Sequence, residues 1–134
     1  MALQLSVAAR NARLDAIEAT AGVSAKLRIL TGAAPADCAA AQSGTLLCEI
    51  ALPSDYLAAA ATGSKAKSGT WSGSGAAPGS AAHFRIVDTA GTTCHLQGTI
   101  TATGGGGDMT LDNVVIALNQ VVTVNTFTIS DANS

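Results

Sequence analysis

Residues 82–102 read AHFRIVDTAGTTCHLQGTITA and carry the strongest structural signal in this sequence. Apolar and polar side chains alternate on both sides of the tripeptide Thr89-Ala90-Gly91, a pattern typical of two half-buried strands joined by a short turn. Gly91 can adopt the left-handed backbone conformation that closes a three-residue hairpin loop. Because the alternation and the turn chemistry agree, the stretch predicts a β-hairpin.

The three-residue loop also fixes which residues of the two strands lie opposite each other. On the core side it pairs Ala82 with Gly98, Phe84 with Leu96 and Ile86 with Cys94, and on the outer side His83 with Gln97 and Arg85 with His95. Cys94 is therefore expected in the core and both histidines outside. Zinc needs three or four ligands that converge on one point, so we expect no metal site at His83, Cys94 and His95.

Alternation with a period of two also occurs on the N-terminal side of the hairpin. It predicts one strand at residues 26–29 and a second at 45–52, the second with a shared buried face formed by Leu46, Cys48, Ile50 and Leu52. Between them, the alanine-rich residues 35–42 begin with a proline, which favours a short helical turn.

The C-terminal third repeats the strand pattern in short segments. Apolar residues alternate at Met109 and Leu111, change parity to Val114, Ile116 and Leu118, and continue as a β-branched run over residues 121–129. The parity change predicts a bend at Asp112-Asn113, and Asn119-Gln120 is expected to turn the chain. We interpret the glycine-rich residues 72–80 and 104–107 as flexible loops.

The N-terminal segment has helical rather than strand spacing. A helix is predicted over residues 7–20, with Ser6 as its N-cap and Gly22 at its C-terminal end. Its apolar stripe is thin, and an isolated helix of this length is marginal in water. The helix must therefore pack on the sheet or on a neighbouring subunit, and we predict possible subunit contacts at Val7, Asn11, Leu14 and Ile17.

The fold class expected from these elements is mainly β. We predict one domain over residues 1–134, with the helix in residues 1–22 and an antiparallel, jelly-roll-like β-sandwich in residues 23–134.

The composition limits the classes of partner. Charged residues make up 12% of the chain, against about 25% in ordinary soluble domains, and the net charge is −2. This balance offers no basic footprint for nucleic acid. The sequence also has no membrane-length apolar run and no signal-peptide pattern, so we expect neither a nucleic-acid nor a membrane partner.

The three cysteines, Cys38, Cys48 and Cys94, form no Cys-x-x-Cys motif. An odd number of unclustered cysteines argues against a disulfide framework and fits synthesis in a reducing compartment. We expect buried thiols, with a bridge between Cys38 and Cys48 as the alternative.

The remaining candidate residues form no catalytic motif. The glycines of residues 104–107 lack the Gly-Lys-Ser/Thr ending of a phosphate loop, and Lys65 and Lys67 are interpreted as solvated residues of an edge strand. Trp71 is interpreted as a core or loop anchor rather than a sugar-stacking residue. We therefore predict no enzyme activity, no catalytic residues, no cofactor and no metal.

Several short segments of the sequence resemble small virion proteins of tailed bacteriophages and prophages. They are LRILTG at residues 27–32, PADC at 35–38, GTLL at 44–47, AHFRIVD at 82–88, QGT at 97–99 and VTVNTFTI at 122–129. The resemblance implies a capsid, neck or tail subunit and assigns no functional residue.

The composition points to the same role. A surface made mostly of Ala, Gly, Ser and Thr suits a subunit packed in an assembly, because short side chains lose little entropy on contact. We predict a non-enzymatic virion subunit of decoration, spike or collar type, made in the bacterial cytoplasm, that forms homo-oligomers or docks on capsid, portal or neck proteins. A tail-associated receptor- or carbohydrate-binding β-domain is the first alternative and a small hydrolase the second.

Overall fold

The helix predicted at the N-terminus is present with both of its caps. In a computed structural model that describes residues 3–131, helix α1 spans Val7–Ala21. The Ser6 hydroxyl accepts a hydrogen bond from the Ala9 amide at 3.1 Å. Gly22, with φ of 82°, ends the helix and donates its amide hydrogen to the Glu18 carbonyl. These local signals were sufficient to place the helix within one residue of its observed end.

The rest of the described chain is β structure. Its strands are β1 (Lys26–Leu30), β2 (Leu46–Ala51), β3 (Ser64–Ala66), β4 (Trp71–Ser74), β5 (Gly79–Ser80), β6 (His83–Val87), β7 (Cys94–Ala102), β8 (Met109–Leu111), β9 (Val115–Ile116), β10 (Val121–Val124) and β11 (Thr128–Ser130). Five of them form a curled sheet in the order β2-β1-β6-β7-β8. The mainly β prediction is confirmed.

One strand pair departs from the predicted antiparallel arrangement. Strands β7 and β8 run parallel, with Ile100 opposite Met109, so residues 104–107 connect two parallel strands. Gly104 and Gly106 have φ of 89° and 82°, which lets the chain double back within a few residues. The Asp108 carboxylate fixes the return by accepting a hydrogen bond from the Thr99 amide at 2.9 Å.

The β6–β7 hairpin is present, but its predicted register is wrong. Phe84 lies opposite Gly98, Arg85 opposite Gln97 and Ile86 opposite Leu96, whereas Val87 lies opposite Cys94. Two features cause the shift. The Asp88 carboxylate accepts the Thr92 amide at 2.9 Å and lengthens the loop by one residue, and a bulge between Ile86 and Val87 adds another.

The bulge changes the face to which the N-terminal end of β7 belongs. Cys94 shares the outer face with Val87 and Arg85 and is half-buried, so its predicted place in the core is wrong. His83 is not solvent-exposed either, because the β1–β2 connection covers it and the Gly32 carbonyl lies 2.7 Å from its Nδ1.

The β1–β2 connection itself contains no helix. Residues 35–42 make a single turn in which the Ala40 amide donates to both the carbonyl and the carboxylate of Asp37. The predicted strands on either side are confirmed as β1 and β2, paired antiparallel with Ile29 opposite Cys48.

Residues 72–80 are not a flexible loop. Strand β4 pairs with β10, with Ser74 opposite Val121, and β5 pairs with β9, with Gly79 opposite Ile116. Both ladders have the same register, so residues 71–80 and 115–124 form one interrupted antiparallel ribbon. Hydrogen bonds between Gly75 and the turn at residues 117–120 join its two halves.

Glycine serves packing in this ribbon. A Cβ atom at Gly73 would lie 3.0 Å from the Ile50 Cγ1, and one at Gly79 would lie 2.9 Å from the Leu47 Cδ2. Small inward residues therefore bring the ribbon close to β2. An isolated antiparallel β-bridge between Cys48 of β2 and Gly75 of the ribbon joins the two.

Aromatic side chains pack against one another in the buried hydrophobic cluster. Trp71 is fully buried, with its ring centroid 5.7 Å from Phe127 and 6.3 Å from Tyr56, and Phe127 lies 5.5 Å from Phe84. The interpretation of Trp71 as a core anchor is confirmed.

Candidate interaction surface

The ribbon of residues 71–80 and 115–124 carries no charged side chain. Two segments that are distant in the sequence, residues 68–84 and 113–130, contain none of the 7 basic and 9 acidic residues of the chain. Those two stretches contain both chains of the ribbon. The structure therefore places an entire ribbon without a charged side chain on one side of the molecule.

The outward side chains of this ribbon are short or aliphatic. Along residues 71–80 every even-numbered residue is exposed, and along residues 115–124 the exposed residues follow the same alternation apart from the turn. We call this surface the neutral face; it consists of Ser72, Ser74, Ala76, Pro78, Ser80, Val115, Ala117, Leu118, Asn119, Val121 and Thr123.

Three large apolar residues stand out on the neutral face. The exposed fractions are 58% for Val115, 60% for Leu118 and 69% for Val121. Leu118 was expected to share the buried side of Ile116, but the chain turns at residues 118–119, where Asn119 has φ of 65°. The turn directs Leu118 outward, so the neutral face carries three exposed large apolar side chains among its serines and alanines.

An open groove adjoins the neutral face. Within the described residues β10 pairs only with β4, and its other edge faces β8 across a cavity of about 300 Å³ lined by Leu111, Asp112, Val121 and Thr123 among others. The curled sheet thus leaves an unpaired strand edge beside the exposed valine, and such edges are templates for further pairing.

Charged side chains pair with one another between helix α1 and strand β3. Lys65 was expected to be solvated, but its side chain is only 2% exposed and its ammonium lies 2.7 Å from the Asp15 carboxylate and 3.3 Å from that of Glu18. This prediction failed because the two acidic partners come from the N-terminal helix, far away in the sequence. Lys67, the other predicted edge lysine, is half-buried and donates to the Gly69 carbonyl.

The ion pair between Lys65 and Asp15 favours the charged form of both groups. Hydrogen bonds from Lys65 and from the Ala60 amide hold the pKa of the Asp15 carboxyl below its ordinary value. Burial would lower the pKa of the Lys65 ammonium, but the hydrogen bonds and charges of Asp15 and Glu18 outweigh burial and raise that pKa.

The helix residues predicted as subunit contacts divide into two groups. Leu14 is 3% exposed, and the Asn11 side-chain oxygen Oδ1 accepts a hydrogen bond from the Gly63 amide at 2.9 Å, so both are used within the chain because the helix turns this face toward its own sheet. Val7 is 44% exposed and Ile17 is half-buried; these two remain predicted contacts.

The other residues weighed for chemistry do not come together. His83 lies beneath the β1–β2 connection, whereas His95 lines a shallow pocket beside Ile17 of the helix. No group of three or more metal-ligating side chains occurs among residues 3–131. In that same range no helix is both long and apolar enough to cross a membrane.

The neutral face is not among the features predicted from the sequence, although the absence of charge in both of its segments is visible there. The pairing of these segments into one ribbon joins residues that are about 40 positions apart in the sequence, so no local pattern indicates it.

Comparison of the chain with protein-family models, curated proteins and solved structures finds no match.

Proposed function

We propose that this chain is a non-enzymatic structural subunit of a tailed-phage virion, and that it assembles through the neutral face. The observation that carries the assembly part is the uncharged ribbon with Val115, Leu118 and Val121 exposed on it. The proposed place in a virion is supported by the resemblance of several short sequence segments to small phage virion proteins.

The occupant we propose for the neutral face is the same face of a second copy. In a contact between two identical faces, a charged side chain near the twofold axis lies opposite its own copy, and such like-charge pairs cost several kcal/mol. A surface with no charge avoids that repulsion, and its serines and alanines lose little entropy when they are covered. Apolar contact among Val115, Leu118 and Val121 would supply the favourable free energy.

For the architecture we infer a jelly-roll-like sandwich. The support is the position of the aromatic core, with Phe84 from the five-stranded sheet on one side and Trp71 from the ribbon on the other, both against Phe127. In this arrangement the neutral face is the outer surface of the second layer.

Sedimentation equilibrium over a concentration series tests the self-association. The wild-type protein should show a mass that rises above the 13.2 kDa of one chain. The double variant Leu118→Lys/Val121→Lys should associate at least about 10-fold more weakly, because the substitutions bring like charges together across the contact.

The matched control is Val23→Lys. Val23 is 67% exposed but lies in the turn after the helix, outside the neutral face, so this variant should associate like the wild type. A wild-type mass of 13.2 kDa at every concentration, or equal weakening by Val23→Lys, would contradict assembly through the neutral face.

The virion assignment needs a separate test. In the phage or prophage that encodes the chain, an epitope-tagged copy should co-purify with density-banded particles and give immunogold labelling at a fixed site on them. A tagged protein that stays entirely in the particle-free fraction would contradict the virion role while leaving the self-association result unaffected.

A further inference from the structure

Two of the three cysteines share one cavity on the outer face of the β6–β7 hairpin. All three are free thiols. Cys38, from the β1–β2 connection, and Cys94, from the start of β7, line a cavity of about 240 Å³ together with Arg28 and Arg85. Cys48 lies elsewhere, fully buried in the core, so the neighbouring thiol of Cys38 is Cys94 and not Cys48.

Hydrogen bonds hold the Cys38 loop in place over this cavity. The Arg85 guanidinium donates to the carbonyls of Asp37 at 3.1 Å and Ala40 at 2.8 Å, on either side of Cys38. The Gln97 side-chain amide donates to the Pro35 carbonyl at 2.8 Å. The loop is thereby fixed to both strands of the hairpin.

The β-bulge supplies the second half of the site. Because Val87 rather than Ile86 lies opposite Cys94, the Cys94 side chain joins Arg85 on the outer face. Without the bulge Cys94 would face the core, where the Cys38 loop does not reach. Two independent features, the clamped loop and the bulge, therefore bring the thiols together.

We propose that Cys38 and Cys94 are a redox-sensitive pair that forms an intramolecular disulfide by exchange with a small disulfide such as oxidised glutathione. The Cys38 thiolate attacks one glutathione sulfur and releases one glutathione thiol. The Cys94 thiolate then displaces the second glutathione from Cys38. The two protein thiols lose two protons and two electrons, and one oxidised glutathione becomes two reduced glutathiones.

The positions of the two thiols in the fold assign the order of attack. Cys38 lies in the β1–β2 connection between two exposed residues, Asp37 and Ala39, whereas Cys94 begins strand β7. We therefore assign the first attack to Cys38 and the resolving step to Cys94, whose thiol has its pKa raised by burial and by the neighbouring Cys38 thiol.

Cys48 provides an internal control. It is not solvent-accessible, and burial, followed by the charge of Glu49, raises the pKa of its thiol. The native protein exposed to oxidised glutathione should therefore fall from three free thiols to one, counted after denaturation, with Cys48 as the survivor.

The link can be located in the Cys48→Ala variant. Trypsin leaves Cys38 in the peptide 29–65 and Cys94 in the peptide 86–134, so in this variant a disulfide between the two peptides can only join Cys38 to Cys94. The oxidised protein should carry this link as a monomeric species, and its melting temperature should rise by on the order of 10 °C over the reduced form.

Two single variants complete the experiment. Cys38→Ala and Cys94→Ala should each lose the internal link, and Cys94→Ala should accumulate a mixed glutathione disulfide at Cys38. The proposal is overturned if the native protein keeps separate glutathione adducts on both cysteines, links Cys38 to Cys48, forms only intermolecular bonds, or melts at a lower temperature once oxidised.

Discussion

The helix side and the ribbon side of this protein are held to the core by different forces. Besides burying Leu14 and Ala21, helix α1 is attached by polar groups: Asn11, Asp15 and Glu18 accept the amides of residues 63, 60 and 57, and two of them pair with Lys65. The ribbon is attached by Trp71 and by close glycine contacts. Charged groups thus make contacts within the chain around the helix, whereas the ribbon carries no charged side chain.

Removing the aromatic anchor of the ribbon should have the largest effect. Trp71→Ala is expected to lower the free energy of unfolding by about 3–5 kcal/mol, because it leaves a cavity among Tyr56, Phe127 and β2. Urea denaturation measures the loss, and Trp71→Phe, which keeps an aromatic ring, should lose clearly less. Equal losses for both variants would show that ring packing does not hold the ribbon.

Removing the central cation of the helix side should cost less. Lys65→Ala is expected to destabilise the fold by about 1–3 kcal/mol through the lost ion pairs and the lost packing of the buried stem. Lys65→Met should be milder, since methionine keeps the packing of the buried stem and loses the ion pairs with Asp15 and Glu18. Urea denaturation distinguishes the two, and a wild-type value for Lys65→Ala would refute the role of the cluster.

Acid should weaken the helix side before the ribbon side. The folded-state pKa of Asp15 is lowered, so its contribution is present above the ordinary value of 3.8 and is lost as the pH falls through the lowered value. The helical circular-dichroism signal should fall in this window at lower denaturant than the Trp71 fluorescence signal. Asp15→Asn should remove this pH dependence; identical profiles for the two proteins would contradict the assignment.

The smallest expected effect concerns the ionisation of Tyr56, which changes nothing at neutral pH. Burial, followed by the charge of Glu18, raises the pKa of Tyr56 to about 12, and this is the only tyrosine of the chain. A phenolate absorbance titration should therefore have its midpoint near 12, and this group's contribution to stability should be lost as the pH rises above about 10. A midpoint near 10 would place Tyr56 in solvent.

Features set by neighbouring residues could be predicted from the sequence. Ser6 and Gly22 define the helix ends, and the alternation in β1, β2 and β6 identifies those strands. The hairpin register failed because the Asp88 carboxylate competes for backbone amides and because a bulge leaves no trace in the alternation.

Features that depend on distant partners could not be predicted. Residues 72–80 show no hydrophobic alternation, since glycine and serine alternate there, and the strand that orders them comes much later in the chain. Lys65 likewise gains its acidic partners from the helix. The absence of charge in residues 68–84 and 113–130 was readable, but only pairing makes it a surface.

Hydrogen exchange measured at several protein concentrations tests most directly whether the chain assembles through the neutral face. With rising protein concentration, amides in residues 71–80 and 115–124 should exchange more slowly, while the exposed loop at residues 104–107 should keep its rate. Unchanged exchange throughout the ribbon in a sample that does self-associate, or new protection confined to helix α1, would contradict assembly through this surface.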